Sequence, residues 1–409
     1  MSRSASFFVF FGVALSLTAG LHYYIWARLV RDPGLPPLAF RLLTALVILL
    51  CASIPLTLWL YRMRPLENMR PLLLGMFGWM GLMFFTVVLL GIGDVGRLFA
   101  RLLQNGDPVD PARRLAVSRM FGAGVALVAT SLGAVATHQG LTRLTVRRAK
   151  VRLPRLPKAL DGFKLVQLSD IHVGPTILRD FIERVVATTN ALEPDAIVIT
   201  GDLVDGSVEQ LREHVAPLTG LRARHGVYFV TGNHEYYSGA EDWCDELTRL
   251  GVRVLRNERV TLGNDDASFD LAGVDDSSAH RFGRGHGADL PKAVLGRDPA
   301  RELVLLAHQP RAVFEAKDQG VGLMLSGHTH GGQMWPWNWL VRLQQPVVSG
   351  FETFERTLVW VSNGTGYWGP PMRLGAPAEI TELVLSSGEL SGEVVAVEDA
   401  DSFPHDSVG

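Results

Sequence analysis

Cysteine is nearly absent from this 409-residue chain: there are two, Cys51 in an apolar run and Cys244 in a polar segment. That excludes a disulfide-dense scaffold, and the contrasting surroundings argue against their pairing. Charged residues make up 20% against 47% hydrophobic, which excludes a disordered polar chain. The charge is also unevenly spread. Residues 1–150 carry 16 Lys and Arg against 5 Asp and Glu, and the remaining residues carry 23 against 36. So acidic a second part excludes sequence-independent nucleic-acid binding through neutralised phosphates. No nucleic-acid partner is expected, and no protein partner is readable.

Four runs lack Asp, Glu, Lys and Arg altogether: Phe7–Ala27, Leu42–Tyr61, Leu72–Ile92 and Met120–Leu141. Each reaches the roughly 20 residues a helix needs to cross about 30 Å of hydrocarbon. Backbone polar groups in lipid must be satisfied internally, so helices are the expected form. A cleaved signal peptide accounts for one such run, not four, and a surface helix would show a polar face. The expectation is an all-α, four-helix transmembrane region over residues 1–148, with spans near 7–27, 42–61, 72–92 and 120–141. His22 and His138 are ionisable residues within these runs and lie near their ends, so anchoring is expected rather than transport. Basic residues are balanced between the two sides, which leaves the positive-inside rule nearly silent. Arg113-Arg114-Leu115, ahead of a small-residue span, resembles a twin-arginine export signal placed internally. That tips the expected C-terminal domain to the extracytoplasmic side.

From Val151 the pattern changes to short apolar runs bounded by Gly, Asp, Asn or Pro: Phe163–Leu168, Ala196–Thr200, Val227–Thr231, Val252–Leu255, Phe269–Val274, Leu303–Ala307 and Gly322–Leu325. These read as buried strands. Helix-like stretches lie between several of them, including Ile177–Asn190, Val208–Leu218, Ala240–Leu250 and Pro310–Lys317. Strand–helix alternation argues for an α/β domain over 149–398, followed by an acidic tail at 399–409. Late strands at Thr357–Val361, Ile380–Leu385 and Glu389–Val397 suggest a second, more antiparallel sheet.

Chemistry-bearing residues sit where these strands end. Ser169-Asp170-Ile171-His172, Gly201-Asp202-Leu203-Val204-Asp205, Gly232-Asn233-His234-Glu235, His308 and Gly327-His328-Thr329-His330 each follow a strand. Ligands of open α/β sheets bind outside the carboxyl ends of strands. Carboxylates and imidazoles without Cys favour divalent ions such as Mn, Fe, Co, Ni or Zn. Asp170 and His172, two apart, can converge on one ion, and the His328-x-His330 pair sends both imidazoles toward the same side. Asp202 is placed to bridge two ions about 3.5–4 Å apart, which would clamp the oxygens of a phosphoryl displacement and acidify a water.

This ordered set resembles the signature of the calcineurin-like metallophosphoesterases, over roughly residues 160–385. The segment from Gly331-Gly332-Gln333 through Arg373-Leu374 and Glu379 further resembles a bacterial, membrane-associated branch of that family. The resemblance implies a four-layer α/β/β/α sandwich and a hydrolase with two divalent metal ions. It places Asp170, His172, Asp202 and His330 on the first metal, and Asp202, Asn233, His308 and His328 on the second. A metal-bridging hydroxide would attack phosphorus, and His234 would stabilise the transferring group or protonate the leaving oxygen. Asp205 and Glu235 would orient the ligands. Ser362-Asn363-Gly364 departs from the basic residue that relatives often carry before this glycine. The implied protein is a multi-pass enzyme of a bacterial plasma membrane hydrolysing a phosphomonoester or diester, with pyrophosphates and lipid-linked esters included. The alternative is a non-catalytic membrane sensor of a phosphorylated ligand.

Trp335, Trp337 and Trp339 follow the His pair closely. They read either as a lipid-contacting surface, which would suit an amphiphilic substrate, or as a half-buried strand. His214, His225 and His405 fit no motif and read as solvated. His280 and His286 follow Asp275-Asp276 in a polar loop.

Overall fold

The computed structural model describes residues 3–63, 69–103, 110–283 and 285–403. Two compact units emerge: residues 1–137 with Gly369–Met372, and residues 138–368 with 373–409.

The first unit consists of α1 (Arg3–Trp26), α2 (Pro37–Met63), α3 (Arg70–Leu103) and most of α4 (Pro111–Thr142). Three of these carry stretches long and apolar enough to cross a membrane: Pro37–Thr57, Arg70–Leu103 and Pro111–Thr142. The expected first span falls in α1, whose side chains through Phe11 lie outside the described ones. His22 is buried, and its Nε2 accepts from the Trp79 indole at 3.1 Å. Gly81 of α3 lies so close to Met372 that a Cβ there would meet its sulfur.

The second unit is built on two mixed sheets. The first orders its strands β13-β1-β12-β2-β3-β4-β5, with β1 Leu144–Leu153, β2 Phe163–Leu168, β3 Ala196–Ile199, β4 Val227–Phe229, β5 Arg253–Val254, β12 Ala378–Ser387 and β13 Ser391–Asp399. The second runs β10-β11-β9-β8-β7-β6, with β6 Glu258–Gly263, β7 Ser268–Gly273, β8 Leu303–Leu306, β9 Leu323–Ser326, β10 Gly350–Phe354 and β11 Thr357–Val361. Strands β2 to β5 are mutually parallel, as are β7, β8, β9 and β11.

The strand sequences explain the layering. Successive side chains face opposite sides of a sheet, and a strand covered on both sides must be apolar throughout. Leu303-Val304-Leu305-Leu306 divides in this way: Val304 and Leu306 pack with Leu165, Val198 and Tyr228 of the other sheet. Leu303 and Leu305 turn to the opposite face, against Leu290, Ala293, Val313 and Ala316 of two short helices, Leu290–Val294 and Val313–Ala316. Helices Arg179–Ala191, Val208–Val215 and Ala240–Arg249 bury Val185, Leu211 and Trp243. The result is the expected α/β/β/α sandwich with both sheets mixed.

Several details differ from the sequence expectation. Strand β1 begins at Leu144, before the apolar pattern changes, and pairs in parallel with β12 over ten residues. The late strands do not share a sheet: β11 joins the second beside β9, while β12 and β13 join the first around β1. The acidic end is not loose at its start, since Ala400 is buried and Asp401 accepts from Arg184 at 2.6 Å. His214 is buried and His225 stacks on Phe163, so neither is simply solvated; His405 lies outside the described residues. Both cysteines are free.

Candidate metal centre

The parallel strands deliver the motif residues to one edge, where the backbone bends in a way side chains resist. Asp170, His172, Asp202, His328 and His330 all have positive φ, between 50° and 70°. These are five of the nine non-glycine residues with positive φ among the described ones. Such conformations are uncommon outside glycine and persist only where the surroundings enforce them. Two glycines keep the turns close. A Cβ on Gly232 would meet Asp202 Oδ1, and one on Gly327 would meet Ser169 Oγ and Asp170 Oδ2.

The side chains converge into adjoining groups. Asp170, His172 and His330 have ligand atoms within 4.8 Å of one another, and so do Asp202, His308 and His328. Asp202 Oδ2 lies between them, 3.1 Å from His308 Nε2 and 3.9 Å from His172 Nε2. His172 Nε2 and His330 Nε2 are 3.1 Å apart, and His308 Nε2 is 3.2 Å from His328 Nδ1. Asn233 stands beside this edge with a buried side-chain oxygen that finds no hydrogen-bond partner.

Hydrogen bonds behind the imidazoles set which nitrogen is turned toward the neighbouring groups. His308 Nδ1 donates to the Thr200 carbonyl at 2.8 Å, leaving Nε2 toward Asp202. His172 Nδ1 donates to Asp205 Oδ1 at 3.2 Å, leaving Nε2 toward His330. This arrangement of carboxylate or carbonyl behind imidazole is the usual support of a metal-binding histidine. Asp205 also accepts from His234 Nδ1 at 2.5 Å, and His234 Nε2 points to Asp202 Oδ2 at 4.0 Å.

Glu235 takes no place among the donors. Its carboxylate is fully buried and accepts the backbone N–H groups of Asp202 at 3.0 Å, Leu203 at 2.8 Å and Gly232 at 2.6 Å. It thereby ties the Gly-Asp and Gly-Asn-His turns together. Burial, reinforced by the Asp202 charge, pushes its pKa up to about 7.

The electrostatics are those of a buried carboxylate–imidazole cluster. Burial works against the charged form of Asp202, yet the His308 and His234 cations hold its pKa well below the usual range. Burial likewise opposes the His234 imidazolium, but Asp202 and Asp205 outweigh it and raise its pKa to about 9. His328 goes the other way: burial and the neighbouring His308 cation lower it to about 3.

Sequence reasoning missed two supports. Ser169 Oγ donates to Asp170 Oδ2 at 2.6 Å. Arg373 is completely buried, and its guanidinium donates to the carbonyls of Asn363, Gly364, Gly366, His330 and Ala376 at 2.5 to 3.3 Å. Arg373 thus holds the loop after β11 against the His330 turn. Asn363 turns to Glu379, donating from its side chain at 2.9 Å and its backbone at 3.1 Å. His280 is exposed and His286 rests on Tyr236 beside Arg256, so both stand apart from the donor cluster.

Known proteins share these features. Residues 163–332 match the family model described as calcineurin-like phosphoesterase. A "transmembrane protein with metallophosphoesterase domain" of Bos taurus is 42% identical over 315 residues, 74% of this chain and 70% of the relative. Its namesake in Danio rerio is 35% identical, covering 88% of this chain and 85% of the relative. An uncharacterized metallophosphoesterase of Campylobacter jejuni is 30% identical, covering 92% and 98%.

Proposed function

The chain belongs to the calcineurin-like metallophosphoesterases, hydrolases that act on phosphoester bonds, and from that premise we propose a membrane-anchored enzyme with two divalent ions at the strand-end cluster. Asp170, His172, Asp202 and His330 would hold one ion; Asp202, Asn233, His308 and His328 would hold the other. The observation that carries this assignment is the convergence of Asp170, His172 and His330, and of Asp202, His308 and His328, each group with ligand atoms within 4.8 Å of one another; the Asn233 amide oxygen, on the turn that bears His234, is buried without a hydrogen-bond partner. A buried polar atom left unpaired is costly, and a cation is the partner this donor set suits. When bound, ions of the Mn, Fe, Zn, Co or Ni type supply Lewis acidity and lower the pKa of a water.

The remaining work belongs to the chain's own groups. Asp205 accepts from His234 Nδ1 and so fixes the ring, leaving Nε2 to carry a proton. The Asp205 carboxylate beside the ring favours its protonated form. A water oxygen bonds to phosphorus and releases its proton to solvent while the bond to the alcohol oxygen breaks, and His234 Nε2 gives its proton to that leaving oxygen. Glu235 and Arg373 act as positioning residues that hold the turns bearing Asp202 and His330. The substrate class is a phosphomonoester or diester, with pyrophosphates and lipid-linked esters included.

The membrane part is proposed as four spans within residues 1–148, supported by three long apolar helices and the uncharged Phe7–Ala27 run. The pair Arg113-Arg114 supports a hydrolase domain on the extracytoplasmic side of a bacterial plasma membrane. Metal content and turnover on a panel of phosphoesters and pyrophosphates test the central reading in purified, detergent-solubilised protein. About two ions per chain and chelator-sensitive hydrolysis are expected. A metal-free protein, inert in excess manganese, would overturn it.

A further inference from the structure

Two aromatic side chains flank His234. The Tyr237 and Trp368 rings lie 5.5 and 5.7 Å from the imidazole, both edge-on. Neither belongs to the packed interior: Tyr237 is 67% exposed and Trp368 is 55% exposed. Phe282 extends the pair, 5.3 Å from Tyr237 and also exposed. Trp368 is nonetheless held in place. Gln333 Nε2 donates to its carbonyl at 3.0 Å, and its N–H donates to Gln333 Oε1 at 2.9 Å. Gln333 in turn leads into the segment that bears Trp335, Trp337 and Trp339, which are 48 to 63% exposed.

Building on the phosphoesterase reading, we infer that Tyr237, Trp368 and Phe282 form the leaving-group subsite, and that this subsite takes the apolar chain of a lipid phosphoester. A general acid must touch the oxygen it protonates. The carbon attached to that oxygen is therefore within a bond or two of His234, against these rings. What the rings offer is carbon, one phenol hydroxyl and one indole N–H. Such rings would also stack a nucleobase; what favours an alkyl chain, which needs only apolar area, is the membrane-spanning part of the same polypeptide. Rings this exposed beside an acid are left without apolar cover until such a chain lies on them. An alcohol product with that chain stays in a bilayer, and this chain carries membrane-spanning helices and a row of exposed tryptophans suited to the interface.

The test uses the full-length protein in detergent with manganese. Its substrates are n-butyl and n-decyl phosphate, with their methyl diesters, each below its micellar concentration. Alcohol release gives kcat/KM for each. The decyl ester should exceed the butyl ester by at least about tenfold, a modest share of the apolar transfer of six methylenes. In Trp368→Ala and Tyr237→Ala that ratio should drop toward unity, and Trp368→Phe should retain most of it. A ratio equal in wild type and variants overturns the subsite, as does adenosine 5′-monophosphate turning over faster than the decyl ester. In those cases metal-dependent alcohol release would still uphold the phosphoesterase. Absence of manganese-dependent release from every ester, bis-p-nitrophenyl phosphate included, overturns the phosphoesterase reading itself and the subsite with it.

Discussion

The Asp205 carboxylate accepts hydrogen bonds from two histidines at once, His234 at 2.5 Å and His172 at 3.2 Å. One side chain thus ties His234 to His172 of the strand-end cluster. Asp205→Asn should lower kcat by about 10–100-fold and weaken metal affinity by a similar factor, the usual cost of losing a carboxylate behind a ligating imidazole. In a His234→Ala background the same change should lower kcat much less, because the group it orients is gone. Full additivity in a double-mutant cycle would contradict the arrangement.

Asp202 stands between the two groups, its Oδ2 3.1 Å from His308 Nε2 and 3.9 Å from His172 Nε2. Asp202→Asn and His328→Ala should each abolish hydrolysis of a nitrophenyl phosphoester, by roughly 1,000-fold or more, with the circular dichroism spectrum unchanged. Chelation of wild-type protein should give the same loss, restored by added manganese. Near-wild-type, metal-dependent turnover in both variants would refute the assignment.

At Gly327 a methyl group would run into Ser169 Oγ and the Asp170 carboxylate. Gly327→Ala should therefore reduce bound metal as well as stability, the latter by about 1–3 kcal/mol as overpacking of a tight site. Metal analysis alongside thermal unfolding checks this. Unchanged metal content would show that the Asp170 turn is more yielding than its contacts imply.

Trp335 and Trp337 are half-exposed and sit in turns before a one-turn helix, Asn338–Val341, not in the half-buried strand that their spacing also allowed. In a Trp335→Ala/Trp337→Ala variant, turnover of a micellar phosphodiester should fall several-fold relative to a soluble analogue. An unchanged ratio would remove these residues from any role at a lipid surface.

The gathering of these side chains was legible because few residue types suit divalent ions and each stood directly after an apolar run. Asp170, His172, Asp202, Asn233, His308, His328 and His330 are all found at the one edge where those strands end. Arg373 was not legible as a support. Its partners are backbone carbonyls at 330, 363, 364, 366 and 376, and no side-chain pattern marks a carbonyl. Tyr237 and Trp368 were equally silent, since nothing in 130 intervening positions signals that both rings meet His234. Sheet membership failed for a related reason. Periodicity tells which residues alternate faces, but β12 pairs with β1 some 230 residues away, and that partnership is chosen by the whole fold.

Strand β1 starts two residues after α4 ends, with only Arg143 between them, and lies second from the edge, between β12 and β13. A shortened chain started at residue 149 would cut this strand in half. The ladder to Ala378 and its neighbours would lose its first rungs, and β13 would lose part of its only neighbour. Unpaired strand edges of that length invite self-association. Attempts to produce the hydrolase domain in isolation should therefore keep every residue from Leu144 onward, or expect inclusion bodies where a soluble enzyme was wanted.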